Sequence, residues 1–184
     1  MTSITVRIIV ILSAIAVAAA LRLVPHPPNF TPIGAMALFS GAYLGRRGLI
    51  ALVAPLGAML LSDAILGFYP GLAVNYLAIA LIVLLGSQAL RRIAPLRLFG
   101  TALAASLIFF AVSNFGVWAT SGMYPLSAAG IAACYVAAIP FFQNTLAGDL
   151  FYSALLFGGF ALLERLVPAL RTSGGSVATS AVRR

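Results

Sequence analysis

The chain has 184 residues, 62% of them hydrophobic and 8% charged, against roughly 45–50% and 25% in soluble domains, and its mean hydropathy is +1.11. This excludes an ordinary soluble domain and predicts an all-α integral membrane protein, because apolar runs of about 20 residues recur without the alternation of barrel strands. The charge of +8 comes from eleven arginines, grouped between apolar runs as orientation signals, so the lipid bilayer is the expected partner and nucleic acid is not.

Residues 4–21 form a first apolar run. Ala18-Ala19-Ala20 resembles a signal cleavage site, but the run continues to Val24, so a retained first helix is expected. Residues 22–32 hold four of the ten prolines and the only histidine. Each proline removes a backbone donor and extends its predecessor, which predicts a stiff lid rather than a helix. Residues 33–44 read as a short second span, 48–68 as a third, 72–90 as a fourth and 98–120 as a fifth. The run 126–140 is only about 15 residues long, so a short outer or re-entrant helix is expected before a sixth span over 143–166. One transmembrane domain thus covers 1–167, and 168–184, rich in Ser, Thr, Gly and Arg, is expected to be a disordered tail.

Arginine counting sets the orientation. With a cytoplasmic amino terminus, ten of the eleven arginines fall inside and only Arg22 lies outside, which favours six spans and two cytoplasmic termini. Asp63 and Asp149 lie within apolar spans, where a carboxylate is costly enough to suggest function. Asp63 approaches the partially negative end of its helix and needs a cation. Arg22 and His26 are the basic groups on that side, and a latch of Arg22, His26 and Asp63 is expected, as a structural ion pair or as a ligand contact. Asp149 shares a helix face with Thr145 and Tyr152, and reads as a ligand contact or as a helix cap. Asn75 and Tyr76 open the fourth span, Asn114 and Trp118 end the fifth, and Asn144 begins the sixth. With His26 and Asn29 from the lid they converge at one depth, predicting an outward-facing pocket. The Trp and Tyr side chains are equally readable as interfacial anchors.

Gly34, Gly41 and Gly45 on the second span, and Ala14 and Ala18 on the first, form smooth faces for close helix approach, within the bundle or against a partner subunit. One histidine and one cysteine exclude a disulfide and the usual zinc sites, so no metal or cofactor is expected. Cys134 reads as a small buried hydrophobe or a soft ligand to a cofactor metal.

The run Asn29-Phe30-Thr31-Pro32-Ile33-Gly34-Ala35-Met36-Ala37-Leu38, with Gly41 to Gly45 and Ser62-Asp63, resembles the amino-terminal half of substrate-binding (S) components of energy-coupling-factor transporters. The lid, Ser113-Asn114-Phe115-Gly116-Val117-Trp118 and Phe141-Phe142-Gln143-Asn144-Thr145 are similar to a family of small bacterial membrane proteins described only as transport proteins. The resemblance implies six helices in the bacterial cytoplasmic membrane, a small vitamin-like or heterocyclic solute bound beneath the lid, and a transmembrane coupling subunit with separate ATPases. The chain has no Gly-x-x-x-x-Gly-Lys-Ser/Thr motif of its own. A structural or accessory subunit of a larger membrane complex, and an intramembrane enzyme built on Asp63 and Asp149, are the competing readings.

Overall fold

A computed structural model of the chain describes residues 3–171. It contains α1 (Ser3–Ala20), α2 (Ile33–Leu44), α3 (Leu49–Leu66), α4 (Leu72–Ala89), α5 (Pro95–Thr120) and α6 (Ala128–Leu166), with 3-10 turns at Leu21–Leu23, Gly45–Arg47 and Pro168–Leu170. No strand occurs among the described residues. All the α-helices except α2 are long and apolar enough to cross a membrane. Large apolar side chains face outward, with Leu49 76%, Leu61 72% and Leu96 83% exposed. Lipid solvates such a surface and water does not, so the fold is compatible with a multi-pass membrane protein.

The bundle is built around α2. At 12 residues it is about 18 Å long, too short to cross a hydrocarbon layer of about 30 Å. It has no polar face, and ten of its residues are buried by packing against α1, α3, α4, α5 and α6, as expected of a helix that is apolar all round. Its closest neighbour is α4. A Cβ on Gly41 would lie 2.1 Å from the Val83 carbonyl oxygen, one on Gly86 would lie 2.6 Å from that of Leu38, and one on Gly45 would lie 2.6 Å from Ser87 Cβ. The glycine face is therefore filled within the bundle and is not open to a partner subunit. Gly34 is likewise covered, by the Asp149 carboxylate. On α1, Ala18 is buried and Ala14 packs against the core.

The expected short outer helix is absent. Residues 128–166 form one continuous helix of 39 residues with Pro140 inside it, about 58 Å long. An internal proline forfeits one hydrogen bond and costs about 3 kcal/mol. Ending one helix and starting another in apolar surroundings would strand up to four carbonyls and four amides, so continuity wins.

The two ends of the bundle differ. At one end Arg7 donates to Glu164 and to the Leu170 carbonyl, with its guanidinium 5.0 Å from the Phe160 ring centre and 5.6 Å from that of Tyr43. Arg171 donates to the Glu164 and Arg165 carbonyls, and Leu170 is buried. The chain through Arg171 is thus ordered against α1 and α6, so the expected disorder does not begin at residue 168; residues 172–184 lie outside those described. The proline-rich segment of residues 22–32, between α1 and α2, lies at the opposite end.

Candidate functional site

Three contacts fix the proline-rich loop, the candidate lid, against the bundle. Arg22, in the turn that ends α1, reaches α3, with Nη2 2.9 Å from Asp63 Oδ1 as a charge contact off the hydrogen-bonding axis, while Nη1 donates to Ser62 Oγ. Tyr76 on α4 donates to Asp63 Oδ2 at 2.8 Å. Asp63 thus meets the Arg22 charge at Oδ1 and the Tyr76 hydroxyl at Oδ2, and is 1% exposed. His26 does not join this latch; its Nδ1 lies 2.9 Å from the Pro27 carbonyl oxygen instead. The second contact is Asn144 Nδ2 donating to the Pro28 carbonyl at 2.9 Å. The third is Phe30, whose ring lies 5.8 Å from Phe151 and 5.6 Å from Tyr152. Gly148 admits the lid backbone to α6, since a Cβ there would stand 3.1 Å from Thr31 N and O.

Beside this loop is a cavity of about 520 Å³, within the size range of small-molecule sites. Ile33, the first residue of α2, lines it, so it occupies space left by the shortness of α2 among longer helices. One wall is α5, through Phe109, Phe110, Ser113, Asn114 and Val117, and another is α6, through Cys134, Ala137, Ala138, Phe141, Phe142 and Thr145. Tyr69, Asn75 and Tyr124 contribute from the neighbouring turns and the start of α4, and Arg22, His26, Asn29 and Thr31 from the lid. Phe110 meets Phe142 edge-on at 5.2 Å, which fixes both rings.

The polar groups of the cavity are partly committed. Asn114 Nδ2 donates to the Phe110 carbonyl at 2.8 Å, leaving its Oδ1 as an acceptor. Asn75 Nδ2 donates to Tyr69 Oη at 2.8 Å. Asn29 has φ +64°, a left-handed conformation that asparagine tolerates better than most residues. No carboxylate lines the cavity, and its one arginine is already paired with Asp63.

Of the ligand contacts expected from the sequence, His26, Asn29, Asn75 and Asn114 line the cavity. Asp63, Tyr76, Trp118, Asn144, Asp149 and Tyr152 do not. Tyr76 and Asp63 belong to the latch, Asn144 and Tyr152 hold the lid, and Trp118 Nε1 donates to the Pro125 carbonyl at 3.0 Å, closing the turn before α6. Asp149 accepts from Ser106 Oγ at 2.6 Å and from the backbone amides of Gly34 and Ala35. It therefore caps the amino terminus of α2 from another helix, doing the work of an N-cap side chain where Pro32 supplies none. The two carboxylates stand in separate networks, Asp63 with Tyr76 and Asp149 with Ser106.

The phenylalanine walls carry no polarity contrast with the apolar runs around them, the contrast that marks the other candidate residues in the sequence. A signal was available: Phe110 lies four residues before Asn114 and Phe141 four before Thr145, so each shares a helix face with a polar residue of the cavity.

A family model matches residues 2–170, and its description is a family of unknown function, DUF6580. No curated protein and no solved structure matches the chain.

Proposed function

The chain belongs to the DUF6580 family, and from the geometry of its lidded cavity we propose that it captures a small ring-bearing solute for uptake across a bacterial cytoplasmic membrane. The observation that carries this reading is the cavity of about 520 Å³, walled by phenylalanines of α5 and α6 and supplied with asparagines from three elements. Aromatic walls stack on a planar ring, while Asn29, Asn75 and Asn114 fix its polar edge. With no carboxylate in the lining and Arg22 and His26 at its margin, the solute is uncharged or carries one negative group. A cation would lose its hydration shell without gaining a counter-charge.

In this reading the lid faces outward, and the arginine-rich end with both termini faces the cytoplasm, by the ten-to-one arginine distribution. α2 counts as the sixth membrane element although it is too short to cross alone, because protein rather than lipid surrounds it. The likeness to S components of energy-coupling-factor transporters supports the same assignment. Docking to a coupling subunit with separate ATPases would use a surface other than the Gly34–Gly45 face, which α4 and Asp149 occupy. The accessory-subunit alternative rested on that face and is weakened with it.

The test is binding by the detergent-purified chain of a panel of neutral, anionic and cationic ring solutes, with mass spectrometry of whatever co-purifies. Saturable binding of a neutral or anionic ring compound is expected. No binding across the panel and no co-purified solute would sink the proposal, and a cation as the tightest solute would overturn the charge assignment.

A further inference from the structure

A second concavity, of about 490 Å³, lies at the arginine end between the carboxy-terminal ends of α2 and α4, where Arg46, Ser87 and Arg91 line it with the small residues of the α2–α4 crossing. The crossing explains the glycines; it does not explain the charge. Arg46, Arg47, Arg91 and Arg92 lie on the turns of this end and Arg97 in the first turn of α5, and among the described residues none of them has an ion-pair partner. Glu164, the one acid at this end, is taken by Arg7. Helix dipoles do not settle the field either. The carboxy-termini of α2 and α4 each carry about half a negative charge, but the amino-termini of α3 and α5 at the same end carry about half a positive charge each, so the arginines set the sign.

Two further features say what would neutralise them. The Ser87 hydroxyl is spent on the Leu84 carbonyl at 2.7 Å, so recognition falls to the guanidinium groups, which suit phosphate oxygens. Immediately after the arginine turn, Leu49 and Ile50 are exposed, as is Leu84 on α4, giving apolar surface beside the charge. A soluble anion uses the arginines alone; a phospholipid uses both surfaces.

We propose that this groove binds the phosphate-bearing headgroup of an anionic phospholipid, with Arg46 and Arg91 as its cationic walls and the acyl chains running along α3 and α4. The site rests on the membrane reading above and is independent of the solute.

Native mass spectrometry and thermal unfolding of the detergent-purified full chain, titrated separately with phosphatidylglycerol, phosphatidylcholine and inorganic phosphate, test it. Phosphatidylglycerol is expected to bind at least about tenfold more tightly than phosphatidylcholine, and inorganic phosphate to stabilise little. The Arg46→Ala/Arg91→Ala variant should lose the preference, while Arg97→Ala, outside the groove, should keep it. If the double variant fails to fold, Arg46→Gln and Arg91→Gln singly should each reduce the preference about threefold or more. Equal binding of the two lipids, or a preference that survives removal of both arginines, overturns the proposal. Stabilisation by inorganic phosphate equal to that by lipid makes the groove a soluble-anion site and overturns it as well. None of these outcomes bears on solute capture in the cavity at the other end.

Discussion

Asp63 and Asp149 are both buried carboxylates in apolar helices, and each is held by partners on other elements. For Asp149 these are Ser106 and the first amides of α2. Asp149→Ala should cost about 1–3 kcal/mol, because the amides at the start of α2 are left unpaired in a dry setting while Ser106 keeps the Ala102 carbonyl, and thermal unfolding measures it. Solute affinity in the folded fraction should stay unchanged; a tenfold loss would return Asp149 to the binding site. For Asp63 the test is coupling to Arg22. Arg22→Ala alone strands a carboxylate that is 1% exposed and should destabilise by about 3–5 kcal/mol. Adding Asp63→Asn should recover part of that loss, and simple additivity in a double-mutant cycle would show that the pair is not coupled. The sequence made both aspartates conspicuous because such groups are costly in an apolar run. The need of Asp63 for a cation and a capping alternative for Asp149 could be read locally, but Tyr76 beside Asp63 and Ser106 and Gly34 beside Asp149 could not, since they come from other helices.

At the scale of elements, the α2–α4 crossing sets how closely the bundle packs. A side chain at Gly41 would push against the backbone of α4, with its Cβ 2.1 Å from the Val83 carbonyl oxygen, and backbone cannot rotate away as a side chain can. Gly41→Val should therefore destabilise by at least about 2–3 kcal/mol. Gly158→Ala on α6 meets nothing within 4 Å and should be neutral or slightly stabilising, because alanine favours a helix interior. Equal melting temperatures for the two variants would refute the close crossing. Hydropathy marked α2 at residues 33–44, the bounds it has in the fold, because turn residues punctuate both its ends. It could not mark α6 as one helix, because Pro140 read as a stop and Gln143-Asn144 as a fresh start. The deciding comparison, one lost hydrogen bond against a set of stranded backbone groups, depends on surroundings that local sequence does not contain.

The molecule as a whole brings the short central helix and the proline-rich loop to one cavity, lined by Ile33 of α2 and by Arg22, His26, Asn29 and Thr31 of the loop; in the proposed capture role, a solute enters and leaves past that loop. Polar convergence at one end was legible in the chain, and four asparagine and histidine positions do meet there; the phenylalanine walls were not, because apolar residues in apolar helices carry no contrast. Asn144 holds the Pro28 carbonyl without lining the cavity, so it separates lid motion from solute contact. Losing that hydrogen bond, worth about 1 kcal/mol, favours the open lid in the empty and the occupied protein alike. Asn144→Ala should therefore raise association and dissociation rates together, by about three- to tenfold, with little change in Kd. Asn114→Ala should instead weaken Kd about tenfold through faster dissociation alone, since Asn114 offers its free Oδ1 to the solute. Stopped-flow quenching of Trp118, which stands beside the cavity wall on α5, reads both rates. If Asn144→Ala changes neither rate, the solute enters between the helices and the lid is only a strap across the bundle.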